Sequence, residues 1–190
     1  MAVVARRGRD WLRLLAWALP AIAGLGVAAA VAAPVLSTAP KPLRLWGAVT
    51  YLAFHPACHQ QPDRCLWVAG APMALCARCT VLYTGFALIG FVSQFSLRPV
   101  PHAVRLRLFG LALGLMLLDV ASEVLGLRGP FLPTRLLTGA LVGAAGAWLI
   151  VPALRAAESL DSEVTPRTKS CHTPHRTSTQ PQGGGIHVTH

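Results

Sequence analysis

Cys76 and Cys79 stand three residues apart, directly before an apolar segment that begins near Val81. Cys58 and Cys65 precede them, and His55 and His59 flank Cys58, so residues 55–84 hold four of the five cysteines. Two thiols at this spacing can point the same way from a tight turn and supply half of a tetrahedral Zn²⁺ shell. Cys58, with either His59 or Cys65, can supply the other half. The same Cys-Ala-Arg-Cys spacing also suits a dithiol that cycles to a disulfide. Four unpaired thiols at a membrane interface are the bland alternative. The thiol and imidazole companions of the pair favour a site, with zinc as the expected metal. Cys171, His172 and His175 near the C-terminus form a second group of metal-ligand types, in a segment that reads as a solvated tail.

The elements that must position these residues are apolar. Of 190 residues, 54% are hydrophobic and 13% charged, and the mean hydropathy is +0.53. Apolar runs of membrane-spanning length recur, with the charges gathered between them. The net charge of +10 is spread over short loops and tails, with no aromatic-interleaved basic patch or nucleic-acid motif. Arginines flanking apolar runs report membrane topology instead. The composition therefore excludes an ordinary soluble domain and a nucleic-acid partner, and it makes the lipid bilayer the principal surroundings.

The expected fold is all-α: a four-helix transmembrane bundle with a Cys/His-rich loop between helices 1 and 2. A basic tail (1–13) precedes a first, signal-anchor-like span (14–36) containing Pro20. Pro34 directly after Ala33 is a poor cleavage context, so an uncleaved helix is expected. The Cys/His-rich loop covers 37–79. Within it, residues 45–54 are apolar but too short to cross, and Gly70 and Pro72 mark a hairpin-like turn presenting Cys76 and Cys79. Further spans are expected at 80–97, 108–127 and 136–154, the last carrying Gly139, Gly143 and Gly146 for close helix packing. Residues 155–190 read as a polar, disordered tail.

With both termini inside, eleven Lys and Arg lie on the cytoplasmic side and six outside. This places the protein in the cell membrane as a multi-pass chain, with cytoplasmic termini and an extracytoplasmic Cys-rich loop.

Asp119 and Glu123 share one face of the third expected span, four residues apart. Carboxylates inside an apolar span need cations or water, and such residues are functional candidates by default. Arg128 and Arg135 lie beyond the same helix end, and Arg135, opening the next span, is the expected partner of Asp119. A satisfied interhelical contact would explain one acid; two acids with arginines at hand favour a site. Thr80, Tyr83, Thr84 and Thr138 fall in the same half of the membrane, so every unusual polar residue converges on one end of the bundle.

These residues also carry a family resemblance. Cys58-His59-Gln60, Pro62-x-Arg64, Gly70, Cys76-Ala77-Arg78-Cys79-Thr80 and Tyr83-x-Gly85 resemble the motif of a prokaryotic membrane-protein family known only as a domain of unknown function, number 2085. Downstream, Asp119, Gly126-Leu127-Arg128, Arg135 and Thr138-Gly139 are similar to that family's second block, so the resemblance runs from about Phe54 to Gly143. The chain departs from the pattern at Cys65, where Ser is usual, at Val81 and Val120 in place of glycines, at Glu123 in place of Gln, and at Leu132 in place of Asn. The resemblance implies a multi-pass membrane protein and no established activity.

Three functions follow from these residues. The first is a membrane metalloprotein, in which zinc held by Cys58, Cys76, Cys79 and His59 or Cys65 fixes the loop over a pocket of Asp119, Glu123 and Arg135. That pocket would act on a lipidic or anionic small molecule, with a carboxylate as general base. The second is a membrane thiol–disulfide oxidoreductase using Cys76 and Cys79. The third is an ion-linked transporter or a scaffold without chemistry, which the lack of an inverted repeat disfavours.

Overall fold

The computed structural model describes residues 2–95, 100–129 and 131–167. Cys171, His172 and His175 lie outside the described residues.

Helix α1 (Ala2–Ser37) is uninterrupted by Pro20 and Pro34. Pro40 ends the turn that follows and sets the start of α2 (Lys41–Phe54). The chain then doubles back along α1, with Gly47 against the backbone at Ala33 and Ser37, and Gly26 against Phe54. The short apolar run at 45–54 is thus an antiparallel helix packed on α1.

The segment between α2 and the next long helix is ordered, and it corrects the expectation of an all-α chain. A single 3-10 turn (Pro62–Arg64) leads into strand β1 (Cys65–Val68), which pairs antiparallel with β2 (Ala71–Cys76). Ala69 and Gly70, at φ 51° and 78°, form the two-residue connection. Positive φ at both positions gives a turn whose twist matches that of the strands, so this sequence closes a tight hairpin. The turn expected near Gly70 and Pro72 is therefore a true β-hairpin.

Strand β2 buries Met73, Ala74 and Leu75. Ala74 and Leu75 pack with Cys58 against Ala30 and Ala33 of α1, and Tyr51 and Phe54 of α2 close the same small core. Gln60, itself in the left-handed region at φ 50°, donates from Nε2 to the carbonyls of Tyr51 (2.7 Å) and Ala74 (3.0 Å). The Tyr51 hydroxyl donates to the Pro72 carbonyl. These bonds hold the hairpin to α2 and fix the loop carrying Cys58.

Helix α3 (Ala77–Phe95) starts immediately after β2. It is followed by α4 (His102–Val124) and α5 (Leu132–Arg167). Helix α3 runs antiparallel to α1, with Gly24 beside Ala87 and Gly90 against Pro20. It runs parallel to α5, and glycine makes that contact close. A Cβ at Gly139 would lie 2.5 Å from the Arg78 carbonyl oxygen, and one at Gly143 only 2.0 Å from that of Leu82. Helix α4 lies antiparallel on α5, Phe109 touching the Gly146 face. The starts of α3 and α5 and the end of α4 thereby meet at one end, beside the hairpin.

Among the described residues, two helical segments, 11–37 and 132–157, are long and apolar enough to cross a membrane. Helix α5 continues past the expected end at 154 because residues 155–165 contain no proline or glycine to stop it.

Candidate metal centre and ion-pair cluster

The hairpin delivers the thiols. Cys76 is the last residue of β2 and Cys79 lies in the first turn of α3, so the strand-to-helix corner holds both. Cys58 reaches them from the loop after α2, where its backbone N–H is tied to the Phe54 carbonyl at 2.9 Å. Its Sγ accepts the Cys76 backbone N–H at 3.2 Å. The ligand atoms of Cys58, Cys76 and Cys79 lie within 4.8 Å of one another, a group able to hold a metal ion. Thiolates on one tetrahedral zinc sit about 3.8 Å apart, so a small contraction suffices.

The other two candidates do not join them. Cys65 is buried opposite Cys76 in the hairpin register, yet its sulfur falls outside the group. Burial, followed by the neighbouring sulfurs Cys58 and Cys76, pushes its thiol up to about 11, which keeps it protonated. His59, beside Cys58, is exposed and also lies outside the group. Cys76 is opposite in character. A hydrogen bond from the Cys79 thiol, reinforced by backbone donors and Cys58, holds it down to about 5 despite its burial. Such a thiolate is a ready metal ligand or nucleophile.

One helical turn from these sulfurs lies the ion-pair cluster. Arg78, between the two cysteines of the pair, donates from Nη2 to Asp119 Oδ2 at 2.5 Å and approaches Glu123 Oε1 at 3.5 Å. Arg128 donates to the other oxygen of Asp119 and to Thr134 Oγ1 at 3.1 Å. Arg135 grips Glu123 with two bonds, from Nε at 2.9 Å and Nη2 at 3.2 Å. Thr138 Oγ1 lies 3.5 Å from Asp119. The side chains of Asp119, Glu123 and Arg135 are 5%, 7% and 5% exposed, against 41% for Arg128. The pairing therefore differs from the expected one: Arg135 belongs to Glu123, and Asp119 is shared by Arg78 and Arg128. Arg78 sits opposite Gly139 at the close α3–α5 contact, which brings its guanidinium onto α4.

Thr80 and Thr84 take no part, each bonding a carbonyl four residues back in its own helix, while Tyr83 packs on the small core. In the sequence Arg78 stands only as a loop charge and as part of the Cys76–Thr80 motif, not as a bridging residue. Its place between two candidate ligands, at the head of an apolar helix, was the available signal.

Sulfurs and arginines share one space. Cys58, Cys76, Cys79, Arg64, Arg78 and Arg135 line a single cavity of about 400 Å³, with His59, Gln60 and Gln61 on its wall. Among the described residues no carboxylate lines it. Among the described residues, the buried Nε of Arg78 has no hydrogen-bond partner.

A mostly helical chain with membrane-length apolar helices and a partly buried three-thiol cluster has the character of a membrane protein built around a Cys-rich hairpin. Residues 58–149 match the model of the family described as "Predicted membrane protein (DUF2085)". An uncharacterized protein of the archaeon Methanocaldococcus jannaschii is 33% identical over 107 residues, which cover 54% of this chain and 66% of that protein. No solved structure matches the chain.

Proposed function

We propose that this chain is a multi-pass membrane protein in which zinc, held by Cys58, Cys76 and Cys79, fixes the hairpin over a basic pocket that takes an anionic or lipidic substrate. The observation that carries this reading is the convergence of three thiols within 4.8 Å on a cavity that Arg64, Arg78 and Arg135 also line. In this reading Asp119 and Glu123 orient the arginines. A carboxylate already bonded to guanidinium groups is a poor general base, because protonating it breaks those bonds.

Four spans are proposed, α1, α3, α4 and α5. Helix α3 has 19 residues, about 28 Å at 1.5 Å per residue, close to the hydrocarbon thickness. Helix α4 exposes Leu111, Leu115, Leu117 and Leu118, and three guanidiniums offset its two acids. With cytoplasmic termini, a reporter joined after His190 is expected to read as cytoplasmic, and a tag inserted at Pro62 to be reached from outside. The reverse pair of results would overturn the orientation.

Metal content tests the centre. Purified protein is expected to carry about one zinc per chain, and zinc should shield Cys76 and Cys79 from alkylation until a chelator is added. Cys58→Ser should lower zinc content at least tenfold, whereas Cys171→Ser should leave it unchanged.

A second reading rests on the contact of the Cys76 thiolate with Cys79, which suits a membrane thiol–disulfide oxidoreductase. Metal-free protein whose Cys76–Cys79 pair forms and breaks a disulfide on treatment with quinone and dithiol would replace the zinc reading.

A further inference from the structure

The zinc reading leaves open what completes the metal's shell, and this inference rests on that reading. Tetrahedral zinc takes four ligands; structural sites fill all of them from protein, and catalytic sites keep one for water or substrate. Among the described residues, no fourth Cys, His, Asp or Glu atom joins the three sulfurs. Cys65, the other described thiol, lies on the hairpin and outside the group.

The space beside the sulfurs is built for an anion. All three cysteines line the cavity together with Arg64, Arg78 and Arg135, and among the described residues no acidic side chain lines it. A zinc tris-thiolate carries one negative charge, so the arginines must supply the attraction. Arg78, Arg128 and Arg135 form close ion pairs with Asp119 and Glu123, which leaves one positive charge over, and Asp63 acts on Arg135 without a close contact. Arg64 adds another, since its contact with Asp63 is long (3.9 Å) and exposed. The unpartnered Nε of Arg78 is a buried donor left over beside this cavity. Two helix starts converge here as well. Arg78 and Cys79 lie in the first turn of α3, and Arg135 lies in the first turn of α5. The positive ends of the two helix dipoles favour negative charge at the same place, the Arg78 and Cys79 N–H groups themselves serving the Cys76 sulfur. Guanidinium forks match the oxygens of a phosphoryl group.

We infer that the fourth ligand position of the metal opens into this cavity and takes an oxygen of a phosphoryl anion, whose remaining oxygens are held by Arg64, Arg78 and Arg135. The anion is either free phosphate or the phosphomonoester headgroup of a lipid, and the site is then an exchangeable centre, not a closed structural one.

Cobalt in place of zinc makes the donor set visible. Full-length protein, loaded with Co²⁺ in detergent, is titrated with inorganic phosphate. The visible d–d bands are expected to shift saturably, while the thiolate-to-cobalt charge-transfer band persists. Arg64→Gln, at an exposed position outside the ion-pair cluster, should raise the half-saturating phosphate about tenfold and leave the phosphate-free spectrum unchanged. His59→Gln should change neither the spectrum nor the titration. Two further arms, in bilayers of phosphatidylcholine with and without phosphatidic acid, separate the sources. A shift produced by phosphatidic acid without added phosphate assigns the lipid headgroup; a shift only with added phosphate assigns the soluble anion. Bands that ignore both ligands, or that change on His59→Gln alone, overturn the open position and make the shell closed. Absence of the charge-transfer band removes the zinc reading itself, and this inference with it.

Discussion

Gly143→Ala is expected to remove most of the folded protein from the membrane. A methyl group at this position would sit 2.0 Å from the Leu82 carbonyl oxygen and 2.8 Å from its carbon. Both are backbone atoms of a neighbouring helix, so no rotamer change relieves the clash; α3 and α5 must move apart. Ordinary overpacking of a core costs about 1–3 kcal/mol. A backbone collision at this distance falls at or beyond the upper end, and separating the helices also pulls Arg78 off Asp119. Accumulation of detergent-soluble protein should drop at least tenfold. Gly110→Ala and Gly114→Ala are the matched controls, because a Cβ at either meets nothing within 4 Å. They should be neutral, or stabilising by about 0.5–1 kcal/mol through helix propensity. Equal accumulation of all three variants would show that α3 and α5 are not in contact there.

The second large effect is expected at Asp119. Its carboxylate is 5% exposed and accepts from Arg78 on α3 and Arg128 beyond α4. Asp119→Asn keeps the volume but leaves the mostly buried Arg78 facing a neutral amide. Removing one member of a buried ion pair typically costs about 3–5 kcal/mol, enough to unfold a marginally stable protein. Loss of accumulated protein is the expected result. Pairing the change with Arg78→Gln should recover part of the loss, because the charge left unpaired is then gone, and the non-additivity measures the coupling. Arg128→Gln in the same background should recover less, since a 41% exposed guanidinium can turn to water. Full accumulation of the single Asp119→Asn variant would show that the carboxylate has no structural part, and would return it to a catalytic role.

Much of this arrangement was legible in the residues. The spacing of Cys76 and Cys79, the turn at Gly70, the shared face of Asp119 and Glu123 and the glycines of the last helix can each be read from local pattern. What could not be read is which side chain meets which across elements far apart in the chain. Arg135 and Arg78 are equivalent candidates for Asp119 until the parallel register of α3 on α5 is known, and that register depends on Gly139 and Gly143 meeting carbonyls of a distant helix. The place of Cys65 was hidden for a similar reason. Antiparallel pairing sets it opposite Cys76 but leaves its sulfur outside the cluster. Ordered structure at 62–76 was underestimated because a tight connection through Ala69 uses positive φ at an alanine, which no composition rule marks.

The ion-pair cluster also bears on how the chain enters the bilayer during synthesis. Arg78 precedes both acids in the chain, and Arg128 and Arg135 follow them. When α4 leaves the ribosome, Asp119 already has a counter-charge waiting on α3, whereas Glu123 has only a distant share of it. On the four-span reading proposed above, a lone α4 would be a poor insertion substrate, and α3 and α4 would enter lipid best as a joined helical pair. Glu123 would then wait for the first turn of α5 to supply Arg135, so the last helix completes the cluster.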